Sequence, residues 1–391
     1  MPLTIAWIAD YPIEWMADAP PPVCGLPRQH PATWMRVLLS ELEKEPSLRV
    51  HVLVLRKNIP ADFEFEQHGV VFHVLKVRGG LRAPSLFWTD TLVLRRALRR
   101  INPDLVHAWG NERGAGLIAS RLNFPYLVTI QGLLTWYREV VPVTMYDKLL
   151  AVVEQASLPR ARIATTESTF AVEYLQRKYP KLTVCQAEHA PDWAFHHTVR
   201  TPQLKPIRFI TGSLAYRKGS DLVLRAMTAL LPELDFELVV VGGRDQLVLD
   251  ALGVPGVPDL ERRLRFKSNL SPAEVAQEMS EATIMVLPTR ADTSPNAVKE
   301  AVVAGVPVVA SAVGGIPDYV VPGQNGFLFP SGDLEGCIQA LRNAVRHPLF
   351  GRGVVDTAVL EKKRAYLSPA RMAENFLAAY RRTLELWNKP T

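Results

Sequence analysis

Short apolar runs alternate with amphipathic stretches along nearly the whole chain. The first series is LTIAWIA (3–9), VHVLVL (50–55), VVFHVL (70–75), DLVHAW (104–109), PYLVTI (125–130) and ARIATT (161–166). Each run is short and rich in Val, Ile and Leu, as buried strands are. Segments of helical character fall between most of them, at 32–45, 88–101, 113–122, 144–157 and 168–178. A second series follows: IRFITGS (207–213), FELVVVGG (236–243), RLRFKS (263–268), TIMVLPT (283–289), PVVAS (307–311) and GFLFP (326–330). Its helices are expected at 219–231, 271–280, 295–304 and 333–346. This βαβ rhythm predicts parallel sheets with helices on both faces, an α/β fold. The stretch 187–206, rich in Pro and His and poor in pattern, reads as a linker. A last helix, 368–387, opens on a Ser-Pro cap signal and places Met372, Phe376, Ala379 and Tyr380 on one face.

Length makes this two domains rather than one, because 391 residues exceed one ordinary core. The expected division is 1–195, joined by a closing helix at about 370–388, and 196–369. Open α/β sheets bind ligands at the carboxyl ends of their strands, so the two domains are expected to bind along one cleft. The net charge of +6 is spread over both halves with no basic tail, which gives no support to nucleic-acid binding. Cys24, Cys185 and Cys337 are odd in number and far apart, which argues for a reducing compartment and against a disulfide frame or zinc knuckle. The N-terminus runs straight into a strand without a basic leader, and no apolar window is long enough to span a bilayer. A cytoplasmic location is expected.

The candidate chemistry lies at strand ends. In TRADTSPNAVKEAVVAGVPVVAS (289–311), Ser294 reads as an N-cap and Pro295 as the first helical residue. The N–H groups of Asn296 and Ala297 then point out of the helix start, an arrangement suited to a phosphate. Glu300 lies about 9 Å further along the axis. With a phosphate at the helix start, it is in reach of a ribose, and Asp292 is in reach of whatever lies beyond the phosphates. In GSLAYRKGSDLVLRAM (212–227), Lys218 opens a helix, either as a solvated lysine or as a phosphate partner. A cation at a helix N-terminus is unfavourable unless an anion is present, which favours the second reading. VVVGGRD (239–245), with Gly242 and Gly243, and SAVGGIPDYV (311–320), with Gly314 and Gly315, are glycine turns after strands. In the first half, Arg28 in GLPRQHP (25–31), His107 in HAWGNERG (107–114) and Gln131 in VTIQGLLTWY (128–137) hold similar places, as ligand groups or as local turn and packing residues. The chain has no D-x-D, H-E-x-x-H, Walker A or G-x-S-x-G motif, so neither a metal held by paired Asp nor a hydrolase elbow is indicated.

Taken together, GSLAYRKGSDLVLRAM, LVVVGG and the run from RFKSNLSPAEV to GFLFPSGD resemble the GT-B glycosyltransferases of family 4. These are the retaining group 1 enzymes of polysaccharide and glycolipid assembly. The resemblance is strong over 207–333 and continues more weakly through NPDLVHAWG and PYLVTIQG. It implies two Rossmann-like domains facing a central cleft, the second binding a nucleotide-diphosphate sugar, the first a saccharide or lipid-linked acceptor. It implies a closing helix that returns to the first domain, and no metal or other cofactor. Carried over by position, Lys218 and the N–H groups at 296 and 297 would hold the donor diphosphate, and Glu300 the ribose. Asp292 would sit near the donor sugar, and Gly25 would approach the diphosphate from the other side. Gly212, Ser213, Arg217, Gly242, Gly243, Leu270, Ser294 and Pro295 complete the implied donor set, and Gln131 the implied catalytic set.

Three positions depart from the family pattern. Asp292 stands where the family has Glu, one methylene longer. Ser213 replaces the usual arginine, a role Arg217 or Arg290 would then supply. Gln131 replaces a histidine, so it can hydrogen-bond but cannot act as a base. Two other readings of the same fold are a nucleotide-sugar 2-epimerase and a non-catalytic sugar-nucleotide-binding homologue. The basic stretch LVLRRALRRI (92–101) and the aromatic LLTWYREVVPVTMY (133–146) fit a peripheral contact with anionic lipid on the inner membrane face, or a solvated helix face beside a packed loop.

Overall fold

The structure is a computed structural model describing residues 2–388 except 17, 19, 25, 28–31, 81, 111–113, 244–248 and 251–256. The chain divides into two compact units, Met1–His189 with Pro369–Thr391, and Ala190–Ser368.

The first unit is built on eight strands: β1 (Leu3–Ile8), β2 (Leu48–Arg56), β3 (Phe63–Gln67), β4 (Val70–Lys76), β5 (Leu105–Trp109), β6 (Tyr126–Ile130), β7 (Ile163–Thr166) and β8 (Thr183–Gln186). Their order is β3-β4-β2-β1-β5-β6-β7-β8. All neighbours run parallel except β3 and β4. Its principal helices are α1 (Thr33–Leu42), α2 (Trp88–Ile101), α3 (Ala115–Ala119), α4 (Met145–Ser157) and α5 (Thr169–Lys178). The wholly parallel sheet expected for this half therefore needs correcting at one edge. In β3 the sequence FEFEQ alternates apolar and polar residues, and His68-Gly69 turns the chain with both φ angles positive (51° and 76°). That is a two-residue hairpin turn, which can only join antiparallel strands.

The second unit holds β9 (Ile207–Thr211), β10 (Phe236–Val241), β11 (Leu264–Lys267), β12 (Ile284–Leu287), β13 (Val308–Ser311) and β14 (Gly326–Phe329). They form a parallel sheet in the order β11-β10-β9-β12-β13-β14. Its principal helices are α6 (Ser220–Leu230), α7 (Pro272–Glu281), α8 (Asn296–Ala304) and α9 (Leu334–Arg346). Alternate strand residues enter two separate cores. Phe209, Leu238, Ile284 and Val309 pack with α6 and α9 on one face. Ile210, Val239, Met285 and Val308 pack with α7 and α8 on the other. Burial on both faces is why these strands read as unbroken apolar runs.

The stretch read as a linker is mostly ordered into the second unit. Asp192 caps a short helix, Trp193–His196. Arg200 donates to the carbonyls of Ser280 (3.0 Å), Ala282 (2.5 Å) and Gly353 (2.7 Å). The closing helix α10 (Pro369–Asn388) belongs to the first unit. Its expected face is buried, with Met372, Phe376, Ala379 and Tyr380 at most 1% exposed. The Tyr380 hydroxyl accepts from Trp7 Nε1 at 3.1 Å and meets His107 Nδ1 at 2.9 Å.

Candidate functional site

In the second unit the strand order reverses between β9 and β12. Loops leaving neighbouring strands diverge at such a point and open a crevice at the carboxyl end of the sheet. After β9 the chain runs through Gly212 and Ser213 into a tight 3₁₀ turn, Tyr216–Lys218, and then through Gly219 into α6. Gly219 has φ +74°, and a Cβ there would lie 1.9 Å from the carbonyl oxygen of Pro288. Only glycine lets this turn close against the loop after β12. Two further bonds join the loops, from Arg290 N (2.8 Å) and Thr289 Oγ1 (2.9 Å) to the Arg217 carbonyl.

This closure brings three predicted residues together. Lys218 Nζ donates to Asp292 Oδ2. Arg217 Nη1 lies 3.7 Å from the same oxygen and donates to the Ala291 carbonyl at 2.8 Å. Asp292 is 8% exposed and Lys218 28%, so the aspartate is held under a cation that still reaches solvent. Lys218 is thus not the bare cation expected at a helix start. Its counter-ion is Asp292, and it precedes α6 by a full residue. Arg290 is also committed. It makes a bidentate pair with Asp221 (2.6 and 2.7 Å) and stacks on Tyr216 at 4.1 Å. That removes Arg290 as a replacement for the arginine missing at Ser213 and leaves Arg217 beside the pair.

The start of α8 differs from expectation by one residue. Pro295 is the N-cap, with extended backbone and no side-chain cap bond, and the helix begins at Asn296. The Pro295 carbonyl accepts from Val298 (3.1 Å) and Lys299 (3.2 Å). The N–H groups of Asn296 and Ala297 precede the first intrahelical bonds. Ser294 does not cap, because its hydroxyl is 2.6 Å from Tyr319 Oη in a buried contact. One turn on, Glu300 is half-buried and burial pushes its carboxyl up to about 7, opposed by the neighbouring Lys299 and helped by Asp192. The glycines after the other strands divide in role. A Cβ on Gly242 would press within 2.9 Å of Ser213, so this glycine lets two turns touch. Around Gly212 and Gly243 a Cβ would meet nothing within 4 Å, which leaves backbone accessible to a ligand. Leu270 is half-buried between β11 and α7. Gly25 and Arg28 lie outside the described residues.

In the first unit the strand order reverses at β1. Gln131 follows β6, half-buried, and its Nε2 is buried without a hydrogen-bond partner. It lines a cavity of about 320 Å³ at the carboxyl end of the sheet. His107 is not at that edge. It is fully buried within β5, its Nε2 2.6 Å from Thr129 Oγ1 and its Nδ1 on Tyr380, and burial holds its pKa well below the usual value. It anchors α10 rather than binding ligand.

Two family profiles match the chain: "Glycosyl transferase 4-like domain" over residues 32–184, and "Glycosyl transferases group 1" over 205–347. The chain belongs to the group 1 glycosyltransferases. The second profile spans the Lys218–Asp292 pair and the start of α8. The first ends within β8. The chain is similar to the sulfoquinovosyl transferase SQD2 of Arabidopsis thaliana, 29% identical over 189 residues, which are 47% of this chain and 35% of that protein. The match therefore spans about a third of that relative's length. In shape it is similar to a sucrose-phosphate synthase from Thermosynechococcus elongatus, with TM-score 0.79 at 19% identity over 98% of this chain and 100% of that one. It is also similar to the Anabaena protein HepE in complex with UDP-glucose, with TM-score 0.68 at 13% identity over 97% and 100%. These likenesses establish the GT-B fold. Two residues at the site that carried no motif signal are Asp221 and Tyr216, which fix Arg290. Their signal was an acid in the first turn of α6.

Proposed function

We propose that the chain transfers a sugar from a nucleotide-diphosphate sugar to a hydroxyl of a saccharide or lipid-linked acceptor, with retention at the anomeric carbon, in glycoconjugate assembly. The observation that carries this reading is the convergence of Lys218 and Arg217 on one oxygen of Asp292, beside the turn that closes onto the loop after β12. In this reading the donor diphosphate takes over the role Asp292 now plays for Lys218, and the N–H groups of Asn296 and Ala297 add two further donors. Glu300 accepts from the ribose hydroxyls. Gly212 and Gly243 give the nucleotide access to the backbone, and Leu270 flanks the base.

The chemistry requires charge stabilisation more than proton transfer by the protein. The acceptor oxygen forms a bond to the anomeric carbon while the bond from that carbon to the diphosphate oxygen breaks. The electron pair goes to the phosphate, and the acceptor proton passes to the leaving phosphate oxygen. No protein base is needed, which suits Gln131 where the family has histidine. Pre-oriented cations and N–H groups aimed at the leaving oxygen lower this barrier, each worth about 2.7–4 kcal/mol. We propose that no metal is required, so transfer should persist in EDTA.

A peripheral membrane contact is part of the proposal. Leu86, Trp88 and Leu92 are 45%, 49% and 59% exposed and continue into Arg96, Arg99 and Arg100 on α2, while Arg121 lies 4.4 Å over the Trp88 ring. Val140, Met145 and Tyr146 expose a second apolar edge. An apolar ridge bordered by arginines complements an anionic bilayer surface. Among the described residues no helix is long and apolar enough to cross a membrane.

The function is tested by a thermal-shift screen with UDP, GDP, ADP and their sugars, since a ligand of the native state raises the melting temperature. One nucleotide series should stabilise the protein, and its sugar should be transferred or slowly hydrolysed. Binding without either reaction would point to a non-catalytic homologue. Epimerised nucleotide sugar would point to the 2-epimerase, which no structural observation favours.

A further inference from the structure

The turn that presents Lys218 has little of its own to hold it in place. It is three residues of 3₁₀ helix, Tyr216–Lys218, none of them buried, and it ends on Gly219 at φ +74°. Hydrogen-bond geometry in a 3₁₀ turn is poorer than in an α-helix, so contacts from outside must fix it. The loop after β12 holds it at both ends. At Lys218 the link is the bond from Nζ to Asp292 Oδ2, and Lys218 is 28% exposed. At Tyr216 the link is Arg290. Its Nη1 donates to the Tyr216 carbonyl at 2.9 Å, its guanidinium lies 4.1 Å from the centre of the Tyr216 ring, and its backbone N–H donates to the Arg217 carbonyl at 2.8 Å. Asp221 grips the same guanidinium with both oxygens, at 2.6 and 2.7 Å. Asp221 stands in the first turn of α6, where Leu222, Val223 and Leu224 are buried, so the fork is tied to a packed helix.

We propose that Arg290 and Asp221 are positioning residues for the Lys218 ammonium. The two links differ in what a ligand can exchange. A diphosphate can draw Lys218 from Asp292, because one charge-assisted bond replaces another. It has no such route to Arg290, whose planar fork is engaged by a carboxylate, a carbonyl and a ring at once. Once the ligand holds Lys218, the turn depends on the Arg290 side. The brace then sets where the ammonium stands, and a misplacement of about 1 Å at a reacting group is costly. The inference rests on the proposed donor site through Lys218, and adds two residues that act through it.

The test is calorimetric titration of the full chain with inorganic pyrophosphate. Two variants separate position from charge. Asp221→Asn removes a negative charge near an anion site, so Coulomb's law alone would tighten binding. Arg290→Lys keeps the charge and loses the bidentate fork. Each should instead weaken pyrophosphate binding about fivefold, against about tenfold or more for Lys218→Ala. In the Lys218→Ala background either change should matter by about twofold or less, because the brace then has no ammonium to position. Circular dichroism checks the fold, and either variant suffices if the other fails to fold. Binding in the folded variants as tight as in the parent, or an equal loss with and without Lys218, would overturn the inference alone. Pyrophosphate that does not bind the parent, or binds Lys218→Ala as tightly, would overturn the donor reading and the positioning role with it.

Discussion

The two units end their sheets in opposite ways. At the carboxyl end of the second sheet the side chains are charged and interlocked, with Lys218 and Arg217 on Asp292 and Arg290 on Asp221. At the carboxyl end of the first, the described walls of the cavity are mostly apolar, and Asp10 and Arg82 on them are paired with Arg56 and Asp90. Both ends lie where a doubly wound sheet exposes its loops, so topology alone does not distinguish them. Residue chemistry does. The charged arrangement suits an anion whose charge grows during reaction, and the apolar walls offer an anion no comparable set of cations.

The strongest way to break this contrast is to remove the cation. Lys218→Ala should cut transfer by about 100- to 1,000-fold, the loss of one pre-oriented donor, with some loss of stability because Asp292 is left beside Arg217 alone, and circular dichroism should show the fold retained. Initial rates with the donor found by the screen read this directly, and near-normal turnover would sink the assignment.

Glu300 gives the next largest effect. Its carboxyl titrates near 7, so nucleotide affinity should fall as pH drops from 8 to 6 and the acceptor of ribose hydroxyls becomes neutral. Glu300→Gln should bind nucleoside diphosphate about tenfold more weakly at pH 8 and lose that part of the pH dependence. Stability moves the other way. The folded pKa exceeds the unfolded one, so the native state prefers the protonated form, and that preference is lost as pH rises through about 7. The glutamine variant should therefore be more stable than the parent above pH 7, by on the order of 1 kcal/mol in denaturant titration.

Asp292→Asn sharpens the comparison further. Without its carboxylate the variant should bind nucleoside diphosphate a few-fold more tightly, because Lys218 no longer has an internal partner, while transfer slows. Weaker nucleotide binding would mean that Asp292 positions Lys218 rather than competing with the ligand. The smallest effect concerns the first unit's surface. Trp88→Ser with Leu92→Ser should reduce co-sedimentation with phosphatidylglycerol vesicles a few-fold while leaving nucleotide affinity unchanged.

Much of this was legible in the sequence. Unbroken Val-Ile-Leu runs announced the two parallel sheets, because strands buried on both faces carry no alternation. The closing helix was legible from Met372, Phe376, Ala379 and Tyr380. Strand β3 escaped because five residues of mild alternation are a weak signal, although His68-Gly69 marked its turn. Pairings across distant loops escaped for a different reason. Lys218 and Asp292 are 74 positions apart, and nothing local says that Gly219 closes one loop onto the other. The cap at Ser294 was misplaced because Tyr319, 25 residues on, takes its hydroxyl. His107 resembled an edge residue only while its partner on α10 was unknown.

The central claim is that the carboxyl end of the second sheet holds the donor diphosphate. A crystal structure of the full chain with the nucleoside diphosphate that most raises its melting temperature tests it most directly. The predicted complex has phosphate oxygens within hydrogen-bonding distance of Lys218 Nζ and of the N–H groups of Asn296 and Ala297, with ribose hydroxyls on Glu300. A nucleotide bound elsewhere, with Lys218 still on Asp292, would contradict it.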